Sequence, residues 1–310
     1  MPSLLDKRLI VVTGKGGTGK STVAMALGML AARRGLRTIV AEVASQDRAA
    51  RAFERDAPLF REQELAPGLW TISIAPERAM AEYLKVRAGA AGDLLASSRT
   101  FGLFAAATPG MRELLTIGKV WELAQLERRT RGAARYDLVI LDAPATGHGV
   151  GIMRTPKTFA DLSKVGPISQ QGRAIHASLS DPDFTGVLAV ARPEEMAVAE
   201  TLALGEALRS ELGVELDRVV VNGLFPERFN ARERRALASR AQNLNGTSKL
   251  GRAALRAALS ERTRVERQRE QLERLTAAAA APPIRLPFIF APELELEDIE
   301  NLSTHLEELG

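Results

Sequence analysis

The 310-residue chain contains no cysteine, which excludes disulfides, thiolate metal sites and cysteine redox switches. It also lacks any uncharged apolar stretch that approaches 18 residues, so no transmembrane helix is expected. Asp6, Lys7 and Arg8 interrupt the first apolar segment, and a strand-like run follows at once. We therefore expect no signal peptide and a cytoplasmic location.

A strong excess of charge of one sign is also missing, because the formal net charge is only +4. The apolar fraction of 45% and the charged fraction of 26% are typical of a globular protein. Arginine accounts for 34 of the 42 basic residues. We interpret its short clusters as solvated helix faces and expect no nucleic-acid partner; they comprise Arg128, Arg129, Arg131, Arg232, Arg234 and Arg235.

Short apolar runs alternate with helical patterns along the whole chain. Most runs are continuous rather than alternating, which is typical of strands covered on both faces. The pattern predicts an α/β fold, a doubly wound and mostly parallel sheet, as one domain over residues 1–310. Two helical insertions are expected, at about 76–135 and 153–184. The predicted strands are Leu9–Val12, Thr38–Ala41, Leu69–Ile74, Leu138–Leu141, Val187–Val190, Val219–Val221 and Ile284–Phe288.

The most informative motif follows the first predicted strand. Gly14, Gly19, Lys20 and Ser21 have the spacing of a phosphate-binding P-loop, and a helical pattern begins directly after them. Glycines allow backbone N–H groups to approach an anion, and the helix N-terminus adds a positive dipole end. In such a loop the lysine reaches the β- and γ-phosphates and the serine hydroxyl ligates Mg²⁺. The motif therefore predicts a nucleoside triphosphate and Mg²⁺ as cofactors.

A second signal lies at the end of the fourth predicted strand, where Asp142 follows Leu141. An aspartate at the tip of a strand beside a P-loop is placed to hold Mg²⁺ or its water shell. Ser21 and Asp142 are therefore the predicted metal ligands.

Two segments resemble the ArsA/GET family of ATPases. Lys15 to Lys20 resembles the deviant P-loop of that wider group, in which the additional lysine reaches the partner subunit's nucleotide. Asp142 to His148 (Asp-Ala-Pro-Ala-Thr-Gly-His) is similar to the family's switch II sequence. The likeness runs from Leu9 to about Leu302, as in a bacterial single-unit member without cysteines. It implies a dimeric, Mg²⁺-dependent ATPase, and hence that the nucleotide is ATP.

The resemblance also implies roles for individual residues. Lys15, Lys20 and Asp142 would be catalytic, and Asn222, Pro287 and Phe288 would contact adenine. The full set of implied nucleotide-binding residues is Gly14, Lys15, Gly16, Gly17, Thr18, Gly19, Lys20, Ser21, Thr22, Asn222, Pro287 and Phe288.

The chain departs from the family pattern at switch I. Ungapped placement puts Ala44 where the family has the aspartate that positions the attacking water. Glu42 or Asp47 substitutes for it if the loop is shifted; otherwise hydrolysis is slow or absent. Loss of such a group typically costs on the order of 10²- to 10⁴-fold in rate.

These observations leave three functions open. The first is an ATP-driven homodimer, or heterodimer with a related subunit, whose helical insertions bind a hydrophobic client. The second is a catalytically weak regulatory subunit of a heterodimeric ATPase. The third is a ParA/MinD-type positioning ATPase, which requires a basic stripe or a basic amphipathic terminus. The tail after Pro292 is acidic and suggests a packed helix, so no stable membrane anchor is expected.

Overall fold

The computed structural model describes residues 3–310 except 44–47, 57, 98–106, 131, 163–165, 243–246 and 292. Its strands are β1 (Leu9–Thr13), β2 (Thr38–Val43), β3 (Gln63–Ala66), β4 (Leu69–Ile74), β5 (Leu138–Asp142), β6 (Thr185–Ala191), β7 (Arg218–Leu224) and β8 (Ile284–Pro287). They form one eight-stranded sheet in the order β3-β4-β2-β5-β1-β6-β7-β8.

The sheet is parallel except for the β3–β4 pair, which confirms the predicted α/β class. Strand β3 was not predicted from the sequence. Its Gln-Glu-Leu-Ala segment lies at the sheet edge, and only Leu65 is buried, so no apolar run marks it. An edge strand pairs on one side only and tolerates such a polar composition.

The helices are α1 (Lys20–Arg33), α2 (Arg48–Ala52), α3 (Pro76–Ser97), α4 (Met111–Leu123), α5 (Thr146–Leu162), α6 (Pro167–Ser180), α7 (Glu195–Ala207), α8 (Ala231–Gln242), α9 (Lys249–Ala278) and α10 (Leu296–Thr304). Every residue of β1, β5 and β6 is buried, because helices cover both faces of the sheet. Helices α1 and α10 pack on one face, whereas α4 to α7 pack on the other.

Helix α10 and the α8–α9 pair differ in how many of their side chains are buried. The acidic tail forms α10, whose Ile299 and Leu302 are buried, so the predicted packed helix is confirmed. Helices α8 and α9, by contrast, bury almost nothing: α8 has no buried residue, and α9 buries only Gln268 and Leu275. None of the helices in the described part of the chain combines the length and apolar character needed to cross a bilayer.

Candidate nucleotide site

The loop from Gly14 to Gly19 joins β1 to α1 at the carboxyl end of the central strand. Gly14, Gly17 and Gly19 have φ angles of 143°, 81° and 93°, a region that favours glycine. A Cβ atom at Gly14 would collide with the Val190 carbonyl, and one at Gly19 would collide with the Asn222 amide. The loop thus keeps its backbone uncovered, with Gly16 and Gly17 exposed and Thr18 buried.

Lys20, in the first turn of α1, folds back over this loop. Its Nζ donates a hydrogen bond to the Lys15 carbonyl at 3.0 Å, and the Thr18 hydroxyl donates to the same oxygen at 2.9 Å. Burial lowers the pKa of Lys20, although the Asp142 charge opposes this shift. The surroundings therefore disfavour the ammonium charge in the absence of a bound anion.

Ser21 and Asp142, 121 residues apart in sequence, meet beside the loop. The Ser21 hydroxyl donates to Asp142 Oδ2 at 2.5 Å. The pairing of β1 with β5 aligns Val12 with Asp142 and so brings the carboxylate to the P-loop. Burial raises the pKa of Asp142, against the hydrogen bond from Ser21 and the charge of Lys20.

This oxygen pair suits a hard divalent cation such as Mg²⁺, which takes oxygen ligands and keeps much of its water shell. Among the described residues, no group of three or more histidine, aspartate or glutamate side chains converges. A magnesium ion held by Ser21 and Asp142 would therefore take its other ligands from phosphate and water.

Arg48, at the start of α2, also reaches this position, and sequence reasoning missed it. Its Nη1 donates to the Ser21 hydroxyl at 3.0 Å. The buried carboxylate of Glu42 accepts the backbone N–H of Arg48 at 3.0 Å and that of Ala49 at 3.2 Å. Glu42 therefore holds the start of α2. Ala44, which the ungapped placement puts at the position of the family's aspartate, and Asp47, the other proposed substitute, lie outside the described residues.

Lys15 contacts a second residue that the sequence did not indicate. Its Nζ forms an ion pair with Glu200 of α7, and both side chains are about one third exposed. These residues are 185 positions apart, so no local motif could have revealed the contact. Because the lysine stays partly exposed, it is accessible at the surface of the site.

The residues expected to contact adenine gather at the adjoining edge of the sheet. Asn222 in β7 donates from Nδ2 to the Thr18 carbonyl at 2.9 Å, and it thereby holds the P-loop. Phe288, directly after Pro287 at the end of β8, stacks on Phe225 with 4.6 Å between ring centroids. Thr22 is half-buried in the first turn of α1. The side chain of His148 is outside the described set.

A second concave region lies between α3, α4 and α6, away from the P-loop. It is a cavity of about 190 Å³ with mostly apolar walls. Its lining includes Met80, Tyr83, Leu84, Leu115, Ile168 and Ile175. Part of the apolar sequence expected near it, residues 98–106, lies outside the described chain.

A buried ion network, which we define as Glu62, Glu82, Lys119, Glu122 and Arg128, contributes Glu82, Lys119 and Glu122 to the wall of this cavity. Lys119 Nζ lies 2.7 Å from Glu82 and 3.1 Å from Glu122. Arg128 binds Glu62 and Glu122 with two hydrogen bonds each. Burial alone would raise the pKa of Glu122, yet the hydrogen bond from Arg128 and the charge of Lys119 lower it.

The glycine-lined loop, the Lys20–Ser21 start of α1 and the Asp142 strand end on a parallel sheet define a P-loop nucleotide-binding protein. Comparison with known families identifies which kind. The sequence model of the anion-transporting ATPase family matches residues 7–171 and 160–245. The chain belongs to this ArsA/GET family of ATPases, as its P-loop and switch II sequences predicted.

Individual relatives agree with this assignment. ATPase BagA of Mycobacterium tuberculosis is 30% identical over 227 residues, which cover 71% of this chain and 66% of that protein, just under two thirds of its length. The arsenical pump-driving ATPase of Acidiphilium multivorum is 26% identical over 69% of this chain, but the match spans only 39% of its own length. ATPase GET3C of Arabidopsis thaliana is 23% identical over 73% of this chain and 69% of its own.

Proposed function

We propose that this chain binds Mg²⁺ and ATP at the P-loop, and that the nucleotide drives closure against a second ATPase subunit. The two helical insertions, which contain α3, α4 and α6, would then bind a hydrophobic client. The observation that supports this most strongly is the meeting of Ser21, Asp142 and Lys20 beside a loop whose glycines exclude side chains. A bound phosphate and a metal ion would stabilise the charges of Lys20 and Asp142, which burial disfavours.

The bound metal would neutralise phosphate charge and orient the terminal phosphate for attack. Ser21 and Asp142 would hold it, and Lys20 would exchange its hydrogen bond with the Lys15 carbonyl for one with a phosphate oxygen. Asn222 already braces the loop through Thr18. Nucleotide and metal binding would thus require movements of the Lys20 and Arg48 side chains rather than a rearrangement of the sheet.

Closure would depend on Lys15. To reach a nucleotide on a second subunit, its ammonium has to leave Glu200, so closure exchanges an ion pair within the chain for one between subunits. Charge interactions strengthen as the interface excludes water. The partner is a second copy of this chain or a related subunit.

Sedimentation velocity with a non-hydrolysable ATP analogue tests this step. Wild-type chain, alone or with the related subunit, should associate only when nucleotide and Mg²⁺ are present. Lys15→Ala should abolish that association, whereas Lys249→Ala, the same charge change at an exposed site, should not. Nucleotide-dependent association that survives in Lys15→Ala would contradict the proposed crossing.

The cavity between α3, α4 and α6 supports binding of a hydrophobic client, because concave and mostly apolar sites of this kind accept apolar ligands. A fluorescent apolar peptide of transmembrane composition is a suitable probe. Leu115→Gln, in the cavity wall, should weaken its binding. Leu126→Gln, at a side chain that is 65% exposed, should leave it unchanged. Equal effects of the two variants would argue against the cavity.

A second candidate function, a catalytically weak regulatory subunit, has its own supporting observation. Glu42, one of two proposed substitutes for the switch I aspartate, is buried and already accepts two backbone N–H groups of α2. Single-turnover hydrolysis separates the two candidates. A rate that rises at least tenfold when the related subunit is added favours the regulatory function, and brisk hydrolysis by the chain alone favours the first.

A further inference from the structure

The hairpin formed by α8 and α9 concentrates positive charge to a degree that the composition of the chain does not explain. Residues 231–278 contain twelve basic and five acidic residues, so the rest of the chain has a net charge of −3. Eleven of the 34 arginines lie in these 48 residues. A general preference for arginine would distribute them evenly, so the hairpin needs a local explanation.

Ion pairs fix the base of the hairpin. Arg228 lies 2.6 Å from Glu261, and Arg262 lies 2.7 Å from Glu266. Glu227 pairs with both Arg234 and Arg269, and therefore links the start of α8 to the middle of α9. The acidic residues of the hairpin all lie in this half, at position 233 or from 261 onward.

The other half, residues 235–242 and 247–260, contains five basic residues and no acidic one, and we call it the basic tip. All five side chains are exposed, and none forms an ion pair with a described residue; they are Arg235, Arg240, Lys249, Arg252 and Arg256. Arg252 and Arg256 are four residues apart on one helix, where like charges destabilise the helix. Lys249 adds a positive charge to the first turn of α9, where the helix dipole disfavours it. An anion on the basic tip would relieve both costs.

The spacing of these cations suits a polyanion of high charge density. Lys249, Arg252 and Arg256 share one face of α9, and their axial separations are about 4.5 Å and 6 Å at 1.5 Å per residue. Duplex DNA presents a phosphate every ~1.7 Å of its axis, and arginine binds phosphate through two parallel hydrogen bonds. Residues 235–260 contain no aromatic side chain, so base stacking of single strands has no platform there.

A lipid surface fits less well. Membrane-surface helices insert a continuous apolar face beneath the headgroups. Within the described part of the basic tip, Leu250 is the only large apolar side chain that is exposed, whereas Leu255 and Leu259 are half-buried. The basic tip therefore offers charge without an apolar face to insert.

We propose that the basic tip of the α8–α9 hairpin is a binding surface for the phosphate backbone of duplex nucleic acid, read without sequence specificity. This activity goes beyond the proposed ATPase function and does not depend on it. It also reverses the expectation that the arginine clusters are merely solvated faces, for this half of the hairpin.

Fluorescence anisotropy of a mixed-sequence 30-base-pair DNA duplex, titrated with the full chain at several salt concentrations, tests the proposal. Wild-type affinity should fall steeply with salt, with a log–log slope of about −0.9 per phosphate contact. Arg252→Gln/Arg256→Gln should weaken binding about tenfold or more at low salt and reduce the slope by about 2. The matched control is Arg267→Gln/Arg274→Gln, two exposed arginines in the other half of the same helix.

The control pair should change affinity less than threefold, and circular dichroism should show equal helix content in all variants. Equal loss in both pairs would mean general charge attraction and would overturn the proposal. Absence of duplex binding at low salt would overturn it too, as would binding to vesicles of 30% phosphatidylserine with none to duplex. ATP affinity, measured separately, reports on the P-loop and should be the same in every variant.

Discussion

Two clusters of charged side chains have opposite electrostatic character. One consists of Lys20 and Asp142, which we call the P-loop edge, and the other is the buried ion network. At the P-loop edge the pKa of Lys20 is lowered and that of Asp142 is raised, so the surroundings disfavour both charges. In the network the pKa of Glu122 is lowered and that of Arg128 is raised, so the surroundings favour both charges. A bound ligand would supply the counter-charges that Lys20 and Asp142 lack, whereas Glu122 and Arg128 already stabilise each other's charges.

This difference distinguishes the P-loop edge, a candidate binding site, from the ion network, a structural element. Perturbed pKa values alone do not identify function, because ion networks also perturb them. The direction of the shift is more informative here. A group whose charged form is disfavoured gains from a bound counter-charge, and a group whose charged form is already stabilised gains little.

The largest expected effect is on the network. Arg128→Ala removes five hydrogen bonds, four to the carboxylates of Glu62 and Glu122 and one to the Ala134 carbonyl, and should lower the free energy of unfolding by about 3–5 kcal/mol. Urea denaturation measures it. The neighbouring Arg129→Ala, at an exposed residue stacked over Trp121, should cost only about 0.5–1 kcal/mol. Similar losses for both variants would show that the network arginine stabilises the fold no more than an exposed arginine does.

The next effect belongs to the P-loop edge. Lys20→Ala should weaken nucleotide binding about 10- to 100-fold, because a hydrogen bond to a charged group contributes about 1.5–3 kcal/mol. The free energy of unfolding without nucleotide should stay the same or rise slightly, since burial disfavours this charge. Calorimetry and urea denaturation on the same variant check both parts. A marked loss of stability would remove the contrast between the clusters.

Glu122→Gln should give a smaller effect that depends on pH. Because the folded-state pKa of Glu122 is lowered, its contribution is present above the unfolded value of about 4.3 and disappears as pH falls through the folded value. The variant should be less stable than the wild type by about 1.5 kcal/mol near pH 7. The difference should shrink below pH 4 or so. The matched control is Glu127→Gln, at an exposed neighbour, which should change the free energy of unfolding by less than about 0.5 kcal/mol near pH 7.

The smallest effect concerns Arg48. Its guanidinium donates a hydrogen bond to the Ser21 hydroxyl, which a metal ion would ligate, so the two cations compete for that oxygen. Arg48→Ala should lower the half-saturating Mg²⁺ concentration for ATP binding about threefold, in keeping with one exposed hydrogen bond. Arg51→Ala, on the same short helix, should leave it unchanged. A higher magnesium requirement in Arg48→Ala would mean that Arg48 instead binds the phosphates.

Much of the fold was accessible from local sequence patterns. Continuous apolar runs gave seven of the eight strands, and the P-loop spacing placed Ser21 at the start of a helix. Strand β3 escaped because its residues are polar and pair on one side only. Asp142 was recognisable as a metal ligand because it directly follows an apolar run, and such a run is visible in the local sequence.

The contacts that complete the site were not accessible, because they join distant segments. Glu200 meets Lys15 only through the packing of α7 beside the P-loop. Arg48 acquires its position from the way Glu42 holds the start of α2. The ion network escaped for the same reason, because Glu62 lies 66 residues from Arg128 and Glu82 lies 37 residues from Lys119. A single sequence shows that such residues are charged, but not which of them face one another.

Isothermal titration of Mg²⁺ and a non-hydrolysable ATP analogue into the purified chain measures nucleotide binding at the P-loop itself. We expect saturable heat with one nucleotide per chain, and an affinity at least tenfold weaker in Lys20→Ala. No heat of binding, or the same isotherm for wild type and Lys20→Ala, would contradict binding at the P-loop.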